Sequence, residues 1–183
     1  MIPESEADTI APGAGGDVVY SEGLETSYRN SRLKAAFPFG HGLTFSGFEY
    51  SGLTSVSCEA RVPLGATCLQ VRVKNVGNAT AKAVPQLYLE FPAEAKAPSA
   101  LLKGFQKTAL LRPGDHEVVT FELKPRDMSF YDVVSKGFKV ATGTFQVHVG
   151  ESSTDWRQTF SFCTKGCAGR APQESLPSLR GRQ

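Results

Sequence analysis

Four cysteines, three histidines and a scatter of carboxylates are the residues of this chain whose types could carry chemistry. Cys58 and Cys68 lie ten apart, Cys163 and Cys167 four apart. A structural zinc site asks for two short Cys pairs or for Cys and His pairs, and C-x₉-C fits neither. Disulfides are the other use of these thiols, and four cysteines allow three pairings. If Cys58 and Cys68 flank a strand–turn–strand, a bridge between them closes a short loop. Asn78-Ala-Thr80 is an N-glycosylation acceptor in a turn-rich stretch. Together these features lean towards an oxidising, extracellular or secretory setting. Reduced, buried thiols account for the same cysteines, so the spacing leaves the question open.

The remaining chemistry is sparse. There is no G-x-S-x-G elbow, no Walker loop and no H-E-x-x-H. Gly40-His41-Gly42 opens like a dinucleotide fingerprint but lacks the third glycine and a following helix. His41, His116 and His148 are far apart in sequence, and a metal trio would need the fold to gather them; no metal and no cofactor are expected. His148 alternates with Val147 and Val149 and is expected on a polar face. Glycoside chemistry needs two carboxyls facing each other across a sugar. Glu22, Glu25, Asp127 and Asp132 are available, but their spacing sets no such pair.

The elements that must position these groups repeat every two residues. Leu69, Val71 and Val73 alternate with polar residues, as do Leu87 and Leu89, Val119, Phe121 and Leu123, and Phe145, Val147 and Val149. Trp156, Gln158, Phe160 and Phe162 are expected to share one face of a last strand. Weaker strands are expected over Phe48–Ser57, Gly104–Leu111 and Phe138–Ala141. Residues 125–132 read as a single helical turn crossing between sheets. Turn signals at 75–80 and at Pro113-Gly114-Asp115 separate the strands. Seven or eight short strands without an amphipathic helix predict an all-β fold, an antiparallel β-sandwich; a closed barrel would satisfy the same alternation.

Residues 18–45 do not share this period. Aromatics and glycines crowd there without regularity, so the segment is read as an irregular aromatic N-terminal linker that folds over its own domain or docks to a neighbour. Residues 1–17, with Glu4, Glu6, Asp8 and Asp17 and no base, are expected to form a disordered acidic tail. Residues 163–183, with Lys165, Arg170, Arg180 and Arg182 against Glu174, are expected to form a flexible basic one. The sandwich would then span 46–162. Twenty basic against 18 acidic residues in 183 argue against a cationic nucleic-acid binder. No apolar run approaches the roughly 20 residues a spanning helix needs, so neither nucleic acid nor membrane is expected as a partner.

Tyr20-Ser-Glu22-Gly23, then Tyr28-Arg29, then Phe37-Pro-Phe39-Gly40-His41-Gly42-Leu43-Thr44-Phe45 resembles the C-terminal end of glycoside hydrolase family three enzymes, the β-glucosidases and β-xylosidases. The resemblance continues in order through Val73-Lys-Asn75-Val-Gly77, Gln86-Leu-Tyr88, Leu102-Lys-Gly104-Phe105, Leu111-Arg-Pro113-Gly114, Arg126-Asp127-Met-Ser-Phe130-Tyr131-Asp132 and Gly143-Thr-Phe145. It implies an immunoglobulin-like, fibronectin type III-like sandwich preceded by the end of an α/β domain and a linker. It also implies that the catalytic aspartate and the acid/base glutamate belong to a barrel and an α/β domain, so no catalytic residue is carried over. Thr26-Ser27 departs from the small or apolar pair usual before Tyr-Arg in that family.

The expected role is a non-catalytic accessory domain of a β-glucosidase-like hydrolase, present without its catalytic domains and inactive alone. Its partners would be those domains, in cis or in trans, or a second copy through the linker. Tyr20, Glu22, Tyr28, Arg29, Phe37, Phe39, His41 and Phe45 are the expected interdomain contacts. The alternative is a carbohydrate- or surface-binding module, for which Tyr50, Tyr88 and Trp156 would have to form a flat exposed row.

Overall fold

Alternating apolar residues bury one face of a strand against a partner sheet, and this rule shapes the body of the computed structural model, which among the described residues holds eleven strands. The structure describes residues 2–3, 13–20, 22–30 and 32–167. Two short strands come first, β1 (Ile2–Pro3) and β2 (Ala35–Phe37), paired with each other. The body holds β3 (Phe48–Val56), β4 (Thr67–Asn75), β5 (Gln86–Glu90), β6 (Leu101–Phe105) and β7 (His116–Leu123). After it come β8 (Ser129–Asp132), β9 (Gly137–Val140), β10 (Thr144–Ser152) and β11 (Asp155–Cys163).

The strands form a four-stranded sheet, β11–β10–β5–β6, and a three-stranded sheet, β3–β4–β7, all antiparallel. Leu69, Val71, Val73, Val119, Phe121 and Leu123 from one sheet meet Leu87, Leu89, Phe145, Val147 and Val149 from the other in a single core. This is the sandwich that the alternation calls for.

Three local differences from the sequence reading have physical causes. The strand expected over Gly104–Leu111 lies earlier, at Leu101–Phe105. Pro85 has no N–H to continue the ladder, so residues 106–111 meet 81–85 through scattered bonds: Gln106 N to Pro85 O, Thr108 N to Ala83 O, Ala83 N to Thr108 Oγ1 and the Ala81–Leu111 bridge. The turn expected over 125–132 ends at the buried Met128, and Ser129–Asp132 extends as β8 against β9. Aromatic Phe130 and Tyr131 favour the extended chain.

The third difference is a bulge. Val149 pairs with Gln158 but Gly150 pairs with Trp156, so Arg157 is the extra residue. The bulge moves Trp156 to the face opposite Phe160 and Phe162. Gly150 is needed there, because a Cβ would lie 2.8 Å from Trp156 Cα.

Of the acidic segment 1–17, residues 2–3 and 13–17 are described: Ile2–Pro3 pairs with Ala35–Phe37, and Gly13 donates to the Asp17 carbonyl at 2.8 Å. Most of the basic segment, residues 168–183, lies outside the described residues.

Candidate docking face

β5 is covered on both sides. Its burial runs unbroken over Gln86–Leu89, with Leu87 and Leu89 in the core and Gln86 and Tyr88 facing outward. Tyr88 is nonetheless 0% exposed. The linker covers it. Tyr28, in a single 3₁₀ turn (Ser27–Arg29), meets the Tyr88 ring edge-on at 6.3 Å between centroids, and Phe39 stacks on Tyr28 at 4.3 Å. The Tyr28 hydroxyl also accepts from the Leu102 N–H at 3.1 Å, which anchors the turn to β6.

A polar clamp fixes the next stretch. The Tyr88 hydroxyl donates to Gln86 Oε1 at 2.6 Å, and Gln86 Nε2 donates to the carbonyls of Gly40 (2.8 Å) and Glu151 (2.7 Å). Ser153 N donates to Phe39 O at 2.9 Å. Gly40 has φ +81°, and a Cβ there would run into the Gln86 amide and come within 2.8 Å of the Tyr88 hydroxyl. Only glycine meets both conditions. Burial raises the Tyr88 phenol well above its ordinary value, so it remains a donor.

The same linker turns other side chains outward. Leu43 and Phe45 are 94% and 96% exposed. Tyr20 and Phe37 are also exposed, and Phe37 lies against His41 with centroids 5.5 Å apart. Arg29 is half-buried and its Nε donates to the Thr26 carbonyl at 3.4 Å. Glu22 is half-buried, with Oε2 buried and lacking a hydrogen-bond partner. Of the eight expected contact residues, the fold therefore brings Tyr28 and Phe39 together over β5. It leaves Tyr20, Phe37, His41 and Phe45 on the outside.

The aromatics proposed for a flat sugar-binding row are not one. Tyr50 is buried on β3, Tyr88 lies under Tyr28, and Trp156 alone is partly exposed. Trp156 stacks on His148 at 3.9 Å and 11°. His148 does lie on the outer face of β10, yet it is buried, held by Thr159 Oγ1 at 3.1 Å and Glu90 Oε2 at 3.3 Å. Desolvation lowers its pKa below the ordinary value, against the upward pull of Glu90.

Among the described residues no three His, Cys, Asp or Glu side chains gather as a metal site requires, and no helix is long and apolar enough to cross a membrane. Cys58 bonds Cys68 across the β3–β4 connection, and Cys163 bonds Cys167 after β11, with Cα atoms 5.3 and 6.3 Å apart. Asn78 is exposed in the loop after β4.

Asn75, which the sequence places in the turn signal at 75–80 and in the Val73–Gly77 motif, has a role that the sequence does not show. It is fully buried at the end of β4, donates to Ala79 O (2.8 Å) and Leu111 O (2.9 Å), and accepts from Ser46 Oγ (2.6 Å) and Gly77 N (3.0 Å). An Asn placed where an apolar residue would continue the inward face was the available signal.

Residues 83–153 match the family model described as fibronectin type III-like domain. The chain is 37% identical over 148 residues to the thermostable beta-glucosidase B of Acetivibrio thermocellus, covering 79% of this chain and 19% of that protein. It is 40% identical over 162 residues to a probable beta-glucosidase L of Aspergillus fumigatus, covering 78% of this chain and 22% of the relative. Among solved structures, the beta-D-glucoside glucohydrolase of Trichoderma reesei superposes with a TM-score of 0.78 at 31% identity, over 88% of this chain and 25% of that one. The GH3 beta-glucosidase of Bifidobacterium adolescentis gives 0.74 at 26%, over 96% and 26%. The chain thus spans about a fifth to a quarter of the proteins it matches. By sandwich topology, linker and sequence, it belongs with the fibronectin type III-like domains of glycoside hydrolase family three β-glucosidases.

Proposed function

We propose that this sandwich is a non-catalytic accessory domain whose linker forms the contact with the catalytic domains of a family three β-glucosidase. The observation that carries the reading is the linker's two-sidedness. Tyr28, Phe39 and Gly40 fasten it to β5, while Leu43 and Phe45 stand almost fully in solvent a few residues on. A fixed backbone presenting apolar side chains outward suits docking, since little ordering entropy is left to lose on binding. The orphan Glu22 oxygen adds a place for a donor from the partner.

Burying such side chains contributes on the order of 25 cal/mol per Å². Without the catalytic domains, the same patch leads the chain to associate with itself. The role is then to stabilise the enzyme or its oligomer, not to turn over glycosides.

The test is co-expression with the remainder of a related β-glucosidase from which its own sandwich has been deleted. Co-purification and recovered glucoside hydrolysis support the reading, and Leu43→Ser with Phe45→Ser should abolish both. In sedimentation, the same pair should shift the isolated chain towards monomer. Hydrolysis of a chromogenic β-glucoside by the chain alone would overturn the reading.

A further inference from the structure

A cavity of about 90 Å³ lies where the linker crosses the ends of the two sheets, bounded by Leu43 and Thr44, by Phe48 and Tyr50 of β3, by Val84, and by Glu151 of β10. The Tyr50 side chain is 95% buried by virtue of its 5% exposure, and its hydroxyl is buried with no hydrogen-bond partner in the protein. A buried hydroxyl left unpaired costs about 1–3 kcal/mol, so its persistence in a wall of a cavity points to a partner that comes from outside. Burial, and next the Glu151 charge, push the Tyr50 phenol up, which keeps it a donor. Burial likewise raises the Glu151 carboxyl, whose Oε2 is 3.4 Å from an Arg157 nitrogen.

We propose that this cavity is a binding site for a small neutral polyhydroxy compound, a glycerol-sized polyol or one edge of a monosaccharide, held by the Tyr50 hydroxyl and the Glu151 carboxylate. The polar groups set the class. Tyr50 supplies a donor and Glu151 an acceptor, and a vicinal diol offers both complements at once. An anion would meet Glu151. A cation would meet Lys82, which also lines the cavity, and Arg157, which already pairs with Glu151. A neutral ligand meets neither repulsion. The apolar walls, Phe48, Val84 and Leu43, suit the C–H face of a polyol. A cavity of about 90 Å³ suits a small polyol or one edge of a sugar and not a glucan chain. The cavity shares Leu43 with the proposed docking patch, but Tyr50 and Glu151 lie outside that patch, so substitutions at those two residues separate failure of this site from failure of the docking reading.

The experiment is amide NMR on the whole chain, titrated separately with glycerol, methyl β-glucopyranoside, phosphate and methylguanidinium, in the wild type, Tyr50→Phe and Glu151→Gln. Tyr50→Phe keeps the ring and its packing, so it should fold with unchanged or higher thermal stability. Glycerol or the glucoside should produce saturable shifts confined to residues 40–44, 82–84 and 151. Tyr50→Phe should weaken binding by about fivefold, as loss of one net hydrogen bond implies. Three results overturn the proposal. One is shifts that grow linearly and equally in all three proteins, the mark of solvent exclusion with water only in the cavity. Another is no localised shift at all. The third is saturable binding of methylguanidinium in preference to the polyols, which would assign the cavity to a cationic side chain of a partner protein.

Discussion

Gln86 Nε2 donates to the Gly40 carbonyl at 2.8 Å, a bond between residues 46 apart that helps hold the linker on the sandwich. The Gln86 amide oxygen is in turn occupied by the Tyr88 hydroxyl, so neither end of the amide is free to rotate away. The linker's path is therefore set by side chains of β5 and not by a ladder of its own.

Gly40→Ala is expected to break this arrangement. The added methyl meets the Gln86 amide, and the backbone stays at φ +81°. The expected cost is roughly 1–3 kcal/mol in urea unfolding. Hydrogen exchange should quicken at Ser153, whose N–H is held by the Phe39 carbonyl, while the amides of β4 and β10 stay protected. Equal loss of protection throughout the core would contradict a clamp that is local.

Asn75→Leu should be more damaging than its similar volume suggests. Four bonds go together, leaving Ser46 Oγ, Ala79 O, Leu111 O and Gly77 N without that partner. At about 1–3 kcal/mol for a buried orphan, and with Leu111 O still accepting from Ala81 N, a loss of about 3 kcal/mol is expected. That lowers Tm by roughly 6–12 °C for a domain of this size. Calorimetry showing no change would mean that water replaces the amide fully.

His148 gives the fold a pH dependence. Its pKa in the folded state lies below its ordinary value of 6.5, because burial disfavours the cation. The unfolded chain therefore binds the proton more readily. Stability from this group is complete above 6.5 and declines as pH falls from there to the folded pKa. Trp156, the single tryptophan, stacks on the imidazole and should report the titration as a fluorescence change centred below 6.5. His148→Gln should remove that step. A midpoint at or above 6.5 would place the ring in water or under the control of Glu90.

Non-reducing peptide mapping should recover Cys58 linked to Cys68 and Cys163 linked to Cys167. Reduction of the first should cost about 2–3 kcal/mol, the chain-entropy value for so short a loop. Free thiols at all four positions in protein purified under oxidising conditions would contradict both bonds.

Some of this molecule was written in local order. Period-two alternation marked β4, β5, β7 and β10, because a strand with one buried face must repeat at two whatever surrounds it. Glycine and proline marked the turns, through backbone angles that do not depend on distant residues. The linker stood out as irregular for the same local reason.

What lies opposite a strand is not local, and there the structure decided. Alternation assigned Tyr88 to the outer face of β5 correctly, but only the return of Tyr28 and Phe39 across 60 and 49 residues made that face an interior. One extra residue in β11 turned Trp156 away from Phe160 and onto His148, since a single insertion reverses every side chain beyond it. The Asn75 hub and the Tyr50 cavity were likewise out of reach, because the first joins three separated segments and the second four. Local alternation settles which strand positions turn inward, because the pleat repeats at two; whether an outward side chain such as Tyr88 or His148 is also buried depends on what the chain's long-range returns lay over it.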